Sequence, residues 1–150
     1  MKINNLDALR KSMADSLKVD CEVYRGIDGD QTLRIPSAEL KRVVSFLVDQ
    51  MDCRHLSTIT AQQRVEDPDQ IEVIYHFWHG ISFSIMTMVS EELPRLPEIV
   101  SILPGADFYE REVAEMFGIE FVGREETPPL LLPDDWDQGP PFIRNEDHRE

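Results

Sequence analysis

The sequence predicts an α+β domain in which helices pack on one face of a mostly antiparallel sheet, followed by an extended, proline-rich C-terminal tail. Several stretches place apolar residues at helical spacing, and others alternate apolar and polar residues around tight turns. The 150 residues contain no internal repeat and no glycine-rich phosphate loop. They suffice for one domain that buries a normal hydrophobic core.

The composition excludes several classes of function. The chain has 29 acidic residues against 15 Lys and Arg, and its formal charge of −14 repels nucleic acid and anionic lipid headgroups. We therefore expect no nucleic-acid partner, and membrane association only through partner proteins. Cys21 and Cys53 are too few for a disulfide framework and favour a reducing compartment. Neither a signal peptide nor a membrane-spanning run is predicted, so we expect a soluble chain.

The first third of the chain predicts two amphipathic helices around a hairpin. The first helix runs from Asn5 to about Leu17, with Asn4 or Asn5 as its cap. Its apolar stripe consists of Leu6, Leu9, Met13 and Leu17. A short hairpin follows, with its turn at Asp28-Gly29. Ser37 is the predicted cap of the second helix, whose stripe consists of Leu40, Val43, Val44, Leu47 and Val48.

The middle of the chain predicts three strands. Residues 55–61 form one, and two stronger strands meet at a tight His79-Gly80 turn. The apolar faces of these two comprise Ile71, Val73, Tyr75 and Phe77 in one and Ile81, Phe83, Ile85, Thr87 and Val89 in the other. We expect the two to form the centre of the sheet. After Pro94 and Pro97 the pattern predicts a short helix over 98–103.

A further helix is predicted from Asp107, its expected N-cap, to a left-handed stop at Gly118. Glu110 lies three residues after the cap, where it can complete a capping box. The stripe predicted to be buried comprises Tyr109, Val113, Met116 and Phe117. Arg111 and Glu115 are predicted to pair on the opposite face. Because Glu110 and Glu112 are about 200° apart on a helix, they cannot form a catalytic carboxylate dyad.

Residues 124–150 are predicted to form a separate unit, a tail that follows the domain at 1–123. Half of the ten prolines lie in this tail and rule out a helix or a central strand. Its leucines, Trp136 and Phe142 make it too apolar for an ordinary solvated terminus. The tail therefore needs a surface, and physical reasoning leaves two open: its own domain or a neighbouring subunit.

The residue types and their spacing give little support for a catalytic or metal-binding function. The best available ligands are Cys53, His55, His76 and His79, and positions 76 and 79 point to opposite faces of a strand. Two cysteines cannot supply the four thiolates of an ordinary iron–sulfur cluster. A Cys/His nucleophile has no supporting local pattern. We expect no catalytic, cofactor-binding or metal-binding residue on this chain, which looks like a subunit and not like an enzyme on its own.

The run from Leu93 to Gly123 resembles the signature of the 30 kDa (C) subunit family of respiratory complex I. Membrane-bound energy-converting [NiFe] hydrogenases and related archaeal complexes share that family. The core of the resemblance is Glu110-Arg111-Glu112, followed by Met116-Phe117-Gly118-Ile119. Residues 71–77 match the family's strand order as well, so the resemblance covers most of 20–136.

The resemblance implies a structural role. In that family the 30 kDa member has no cluster, flavin or metal, and it packs against the catalytic large subunit and the iron–sulfur small subunit in the hydrophilic arm. That arm lies on the cytoplasmic or matrix side of the membrane, and the partners carry iron–sulfur clusters and, in hydrogenases, NiFe. We expect partner contacts from Glu110, Arg111, Glu112, Pro128, Pro129, Leu130, Leu131, Leu132, Pro133, Asp134, Asp135, Trp136 and Arg144.

Two segments depart from the complex I pattern. Complex I members usually have a histidine-proline pair and then paired arginines after the glycine that corresponds to Gly123, and a glycine-histidine-proline-leucine-arginine-lysine tail near the end. Residues 124–129 and 139–144 stand in their place here. The run Leu130–Trp136 and the compact length resemble the hydrogenase branch more closely, which couples electron transfer to ion translocation elsewhere in the assembly. The alternatives are the 30 kDa (C) subunit of an oxidoreductase that passes electrons from NADH or another donor to quinone, and a stand-alone binding module or hydrolase that uses Cys53 and His55.

Overall fold

The computed structural model describes residues 3–25 and 31–144 and has the predicted α+β architecture. Its helices are α1 (Leu6–Leu17), α2 (Leu40–Met51) and α3 (Asp107–Phe117). Its strands are β1 (Glu22–Arg25), β2 (Gln31–Arg34), β3 (His55–Gln63), β4 (Gln70–Trp78), β5 (Ser82–Ser90), β6 (Arg95–Pro97) and β7 (Glu120–Val122). Strands β1 to β5 form one sheet in the order β1-β2-β5-β4-β3. Only β2 and β5 run parallel within it, so the sheet is mostly antiparallel.

The first helix and the hairpin confirm the sequence prediction. The Oδ1 atom of Asn5 accepts a hydrogen bond from the Ala8 amide at 2.7 Å, which caps α1. The apolar stripe of this helix faces the core. β1 and β2 pair antiparallel as a hairpin. Its predicted Asp28-Gly29 turn lies outside the described residues.

Helix α2 buries all five residues of its predicted stripe. The expected Ser37 cap is wrong, because Ser37–Glu39 form a 3-10 turn that leads into the helix. Pro36 occupies the capping position of that turn, so Ser37 already has helical backbone and its side chain makes no capping bond. A cap must stand before the first helical residue.

Strands β4 and β5 form the predicted centre of the sheet. Ile71 pairs with Val89 and Phe77 with Phe83, and the two phenylalanine rings stack with centroids 5.5 Å apart. Alternate residues of β4, starting at Ile71, are buried in the core. Trp78, on the opposite face of β4, is half exposed. The main hydrophobic core therefore lies between one face of the sheet and the helices.

The segment after β5 differs from the prediction. Residues 98–103 form a single turn and not a helix, with Ile102 and Leu103 both donating to the carbonyl of Ile99. The buried carboxylate of Glu98 accepts from the amide of Ser101 at 2.8 Å and so closes this turn. Just before it, β6 pairs in parallel with β7, which begins more than twenty residues later. Local periodicity carries no information about such a distant partner.

Candidate partner-docking site

Helix α3 begins one residue earlier than the sequence suggests. A 3-10 turn at Pro104–Ala106 leads directly into it, so Asp107 has helical backbone and cannot act as the predicted N-cap. The carboxylate of Asp107 instead forms an ion pair with Arg124. Gly118 ends the helix in the left-handed conformation with φ of 70°, as predicted.

Glu110 is fully buried and takes no part in a capping box. Its Oε2 accepts from the amide of Ile99 at 2.9 Å, and its Oε1 lies 2.9 Å from Nη1 of Arg124. Burial raises the pKa of Glu110, and the bonds from Ile99 and Arg124 offset only part of that rise. Glu110 thus ties α3 to the turn after β6 and to the start of the tail, and its carboxylate does not reach the surface.

Arg111 and Glu115 do not form the predicted ion pair, because each binds the tail instead. Nη2 of Arg111 donates to the carbonyl of Pro128 at 3.0 Å. The Glu115 carboxylate accepts from the amides of Leu131 and Leu132, at 2.8 and 3.2 Å, and also from that of Leu130. Desolvation works to raise the pKa of Glu115, but these three bonds outweigh it and hold the pKa below its ordinary value.

A second set of contacts holds the end of the tail near the C-terminus of α3. The Phe142 amide donates to the carbonyl of Met116 at 2.9 Å, and the Phe142 ring lies 5.6 Å from that of Phe117. Pro140 crosses directly over Gly118, where a Cβ atom would come within 2.7 Å of its Cγ. The amide of Arg144 donates to Oε1 of Gln63 at 2.9 Å. Glycine at 118 therefore serves both the helix end and the passage of the tail.

The tail shows apolar side chains to solvent although its backbone is bound to α3. Leu131 is 52% exposed, Trp136 is 38% exposed and Phe142 is 60% exposed. A local turn orients Trp136, whose amide donates to Pro133 and whose Nε1 donates to Gly139 at 2.7 Å. We call this surface, formed by α3 and residues 124–144, the α3–tail surface. It exposes three large apolar side chains on a segment whose backbone is hydrogen-bonded to α3.

The predicted site residues are distributed unevenly on this surface. Glu112 is partly buried on α3 with no ion pair or hydrogen bond in the described part of the chain, whereas Glu110 lies inside. Leu130 and Leu132 are partly buried. The exposed positions comprise Pro128, Pro129, Leu131, Pro133, Asp134, Asp135, Trp136 and Arg144. A groove of about 590 Å³, lined by both arginines, 111 and 124, opens between α3, β7 and residues 123–128.

Sequence reasoning missed three anchoring residues: Glu115, Arg124 and Gln63. Glu115 was assigned to a pair within the helix, and the two partners of Arg124 on α3, Glu110 and Asp107, lie 14 and 17 residues away in sequence. Gln63 lies 81 residues from its tail partner. In the sequence, the feature that could have drawn attention to Arg124 is its position directly after Gly123, at the start of the tail.

The cysteines and histidines show no catalytic arrangement in the described residues. Cys53 is fully buried, and burial raises the pKa of its thiol to about 11, far from a reactive thiolate. The His76 ring lies between Oγ1 of Thr60 at 2.9 Å and Oγ of Ser84 at 3.0 Å. Within 3–25 and 31–144, no three His, Cys, Asp or Glu side chains are grouped to hold a metal ion.

None of the described helices is long and apolar enough to cross a membrane. Among solved structures, a trypsin-resistant fragment of Nqo5 superposes with a TM-score of 0.67 at 24% identity, over 81% of this chain and 97% of the fragment. An archaeal respiratory membrane complex, the membrane-bound sulfane sulfur reductase, contains a chain with a TM-score of 0.66 at 21% identity, over 86% of this chain and 76% of that one. At these identities the two structures show the fold.

Sequence relatives extend the likeness. The C subunit of the NADH-quinone oxidoreductase of Roseiflexus castenholzii is 30% identical over 90% of this chain and 78% of its own length. The C subunit of the F(420)H(2) dehydrogenase of Methanosarcina mazei is 29% identical over 73% of this chain and 72% of its own. The family described as "Respiratory-chain NADH dehydrogenase, 30 Kd subunit" matches residues 33–149. The chain belongs to this family of complex I-like respiratory subunits.

Proposed function

We propose that this chain is a non-catalytic docking subunit in the hydrophilic arm of a membrane-bound, energy-converting oxidoreductase. In this proposal it binds the catalytic large subunit and the iron–sulfur small subunit on the cytoplasmic side of the membrane, and it holds no cofactor itself. Family membership supports a place among other subunits. The closed environment of Cys53 argues against the stand-alone hydrolase.

The observation that carries the proposal is the contrast between backbone and side chains in the tail. Amides of Leu130, Leu131, Leu132 and Phe142 are bound to α3, yet Leu131 and Phe142 remain more than half exposed. An isolated domain gains little from fixing a segment whose apolar side chains stay in water. A partner that covers these side chains would bind more tightly, because the tail is already ordered and loses less conformational entropy on binding.

The test compares two leucines in pull-downs with co-expressed large and small subunits. Leu131→Asp should weaken recovery of the partners about tenfold or more. In the proposed complex a partner covers Leu131, so the substitution loses that apolar contact and removes a charged side chain from water. Leu93→Asp is the matched control, since Leu93 is 65% exposed and lies outside the α3–tail surface. Equal recovery with both variants, or no recovery with the unchanged chain, would contradict the proposal.

For the electron-transfer branch, we propose the [NiFe] hydrogenase type. The support is the sequence of the tail, where residues 124–129 and 139–144 depart from the complex I pattern. The complex should be purified from native membranes through a tag on this chain. Nickel in the complex and hydrogen evolution from a reduced viologen are expected. Nickel-free complex that reduces quinone would instead favour the alternative, a C-type subunit of an NADH or other donor:quinone oxidoreductase, the activity named for the Roseiflexus relative.

The proposal also predicts that the chain purified alone holds no iron, zinc, nickel or flavin. Metal analysis and absorption spectra of anaerobically purified protein test this directly. Stoichiometric metal that is lost in Cys53→Ala or His76→Ala would contradict it.

A further inference from the structure

Strand β3 forms one edge of the five-stranded sheet, and its own residues carry little of the usual protection of an edge strand. Its nine residues include no Asp, Glu, Lys, Arg or Pro, although 29% of the chain is charged. The opposite edge, β1, has four residues with Glu22 and Arg25 at its ends. Native proteins protect edges with shortness, charge, proline or bulges. β3 has only a bulge between Leu56 and Thr58, near its start.

From Leu56 onward, the outer backbone of β3 has no partner in the part of the chain that the structure describes. β3 pairs with β4 along its length, and residues 56–63 make no other backbone–backbone hydrogen bond to a described residue. The amide of His55, at the start of the strand, bonds to the Cys53 thiol. In an antiparallel pair, every second residue of the edge strand directs its N–H and C=O groups away from the neighbouring strand.

We propose that the free edge of β3 accepts an extended segment of a partner subunit as a sixth strand. This inference rests on the proposed docking function, because it takes its partner from the same complex. A second copy of the chain is disfavoured, since two chains of charge −14 repel each other. Helix α3 packs against β3, and the amide of Arg144 in the tail donates to Gln63 at the end of β3, so this strand adjoins the α3–tail surface.

The side chains of β3 define the kind of segment that fits. Leu56 and Ala61 are partly buried against the core on the helix-covered face, whereas Thr60 and Gln62 are exposed on the other face. An added strand continues the same alternation. The partner segment should therefore place small apolar residues beside Leu56 and Ala61 and polar residues beside Thr60 and Gln62.

A substitution at Ser57 can hinder strand addition at the edge of β3. It is exposed and is skipped in the pairing register, since Leu56 pairs with Phe77 and Thr58 with His76. Ser57→Pro changes a residue that the register skips, so it breaks no registered pair with β4. It should weaken binding to the co-expressed large and small subunits about tenfold, because a proline on an edge strand hinders the pairing of an added strand. Ser57→Ala keeps the amide and should bind normally; equal binding of both folded variants would overturn the proposal.

Hydrogen exchange on the unchanged protein tests the addition of a strand to β3 without any substitution. Alternate amides of residues 55–63 should exchange fast in the free chain and become protected, by tenfold or more, in the assembled complex. If the complex forms and residues 128–142 gain protection while 55–63 do not, the strand-addition proposal fails and the docking function stands. If no complex forms with the large and small subunits, both proposals fail.

Discussion

At the scale of single residues, Glu110 and Arg124 form the most buried of the ion pairs that the structure describes in the α3–tail surface. Glu110 is fully buried and the Arg124 side chain is largely so. A buried charge without a partner is costly, because the protein interior cannot replace the lost hydration. Asp107 adds a second acceptor for the same guanidinium. Arg124 therefore belongs to the stability of the domain, although it lies in the segment predicted as the tail.

Replacing Arg124 tests this assignment. Arg124→Ala should lower the free energy of unfolding by about 3 to 5 kcal/mol, the usual cost of breaking a buried pair from one side. Arg95→Ala, which removes a surface pair with Glu120, should cost no more than about 1 kcal/mol. Urea unfolding measures both. If the two variants lose the same small amount, Glu110 is hydrated in solution and the burial assigned to it is wrong.

Glu115 and Glu112 offer a comparison on the same helix. Glu115→Ala removes the acceptor for three tail amides and should speed proteolysis within residues 128–142 several-fold, since local opening controls cleavage. Glu112→Ala should leave the cleavage rate unchanged. Limited proteolysis followed by mass spectrometry locates the cuts. Identical cleavage in both variants would mean that Glu115 does not hold the tail.

At the scale of elements, the tail both contacts its own domain and exposes side chains for another. The division at residue 123 remains a prediction, and the contacts of Arg124 suggest where a cut should be made. A truncation after Gly123 removes Arg124 together with the tail. It would destabilise the domain for a reason unrelated to docking.

Two truncations separate these effects. Ending the chain after Thr127 keeps Arg124 and loses few buried side chains, so it should cost only about 1 to 3 kcal/mol. Ending it after Gly123 should cost about 3 kcal/mol more, because the buried carboxylate of Glu110 loses its ion-pair partner. Melting curves and denaturant unfolding of both chains give the difference. If the two truncated chains are equally stable, Arg124 does not contribute to the stability of the domain.

At the scale of the whole molecule, acid should release the tail. The pKa of Glu115 is held below its ordinary value, so its stabilising contribution is complete above the unfolded pKa of about 4.3 and is lost as pH falls through the folded pKa. Glu98, whose hydrogen bonds from Lys41 and Ser101 outweigh desolvation, has a pKa shift of the same sign. Glu110 has the opposite sign, because burial raises its pKa.

The expected pH dependence is specific to one carboxylate. Tail proteolysis of the unchanged chain should accelerate as the pH falls below the unfolded pKa of about 4.3 and Glu115 becomes protonated. Glu115→Gln should show fast cleavage both at neutral pH and in acid, with an acid-stable protease as the probe. A Glu115→Gln chain that keeps the full acceleration on acidification would assign the effect to another group.

Much of the fold was accessible from sequence because it depends on short-range patterns. Helix α2 follows from five apolar residues at helical spacing, and the β4–β5 hairpin from two alternating runs around Gly80, which has φ of 78°. The end of α3 follows from Gly118. The motif around residues 110–112 indicated the family, which the match over residues 33–149 shows. Each of these features needs only residues that are close in the chain.

The tertiary structure decided which groups the charged residues of α3 meet. Sequence spacing put Arg111 and Glu115 on one face of the helix, and a partner was sought within that face. Both bind backbone groups of the tail 15 to 17 residues away, and Arg111 also lies 3.9 Å from Asp107, one helical turn earlier. Glu110 meets Ile99 and Arg124. Helical periodicity fixes the direction of a side chain, but only the folded chain brings a distant donor to it, because the path of the connecting loops depends on the packing of the whole domain.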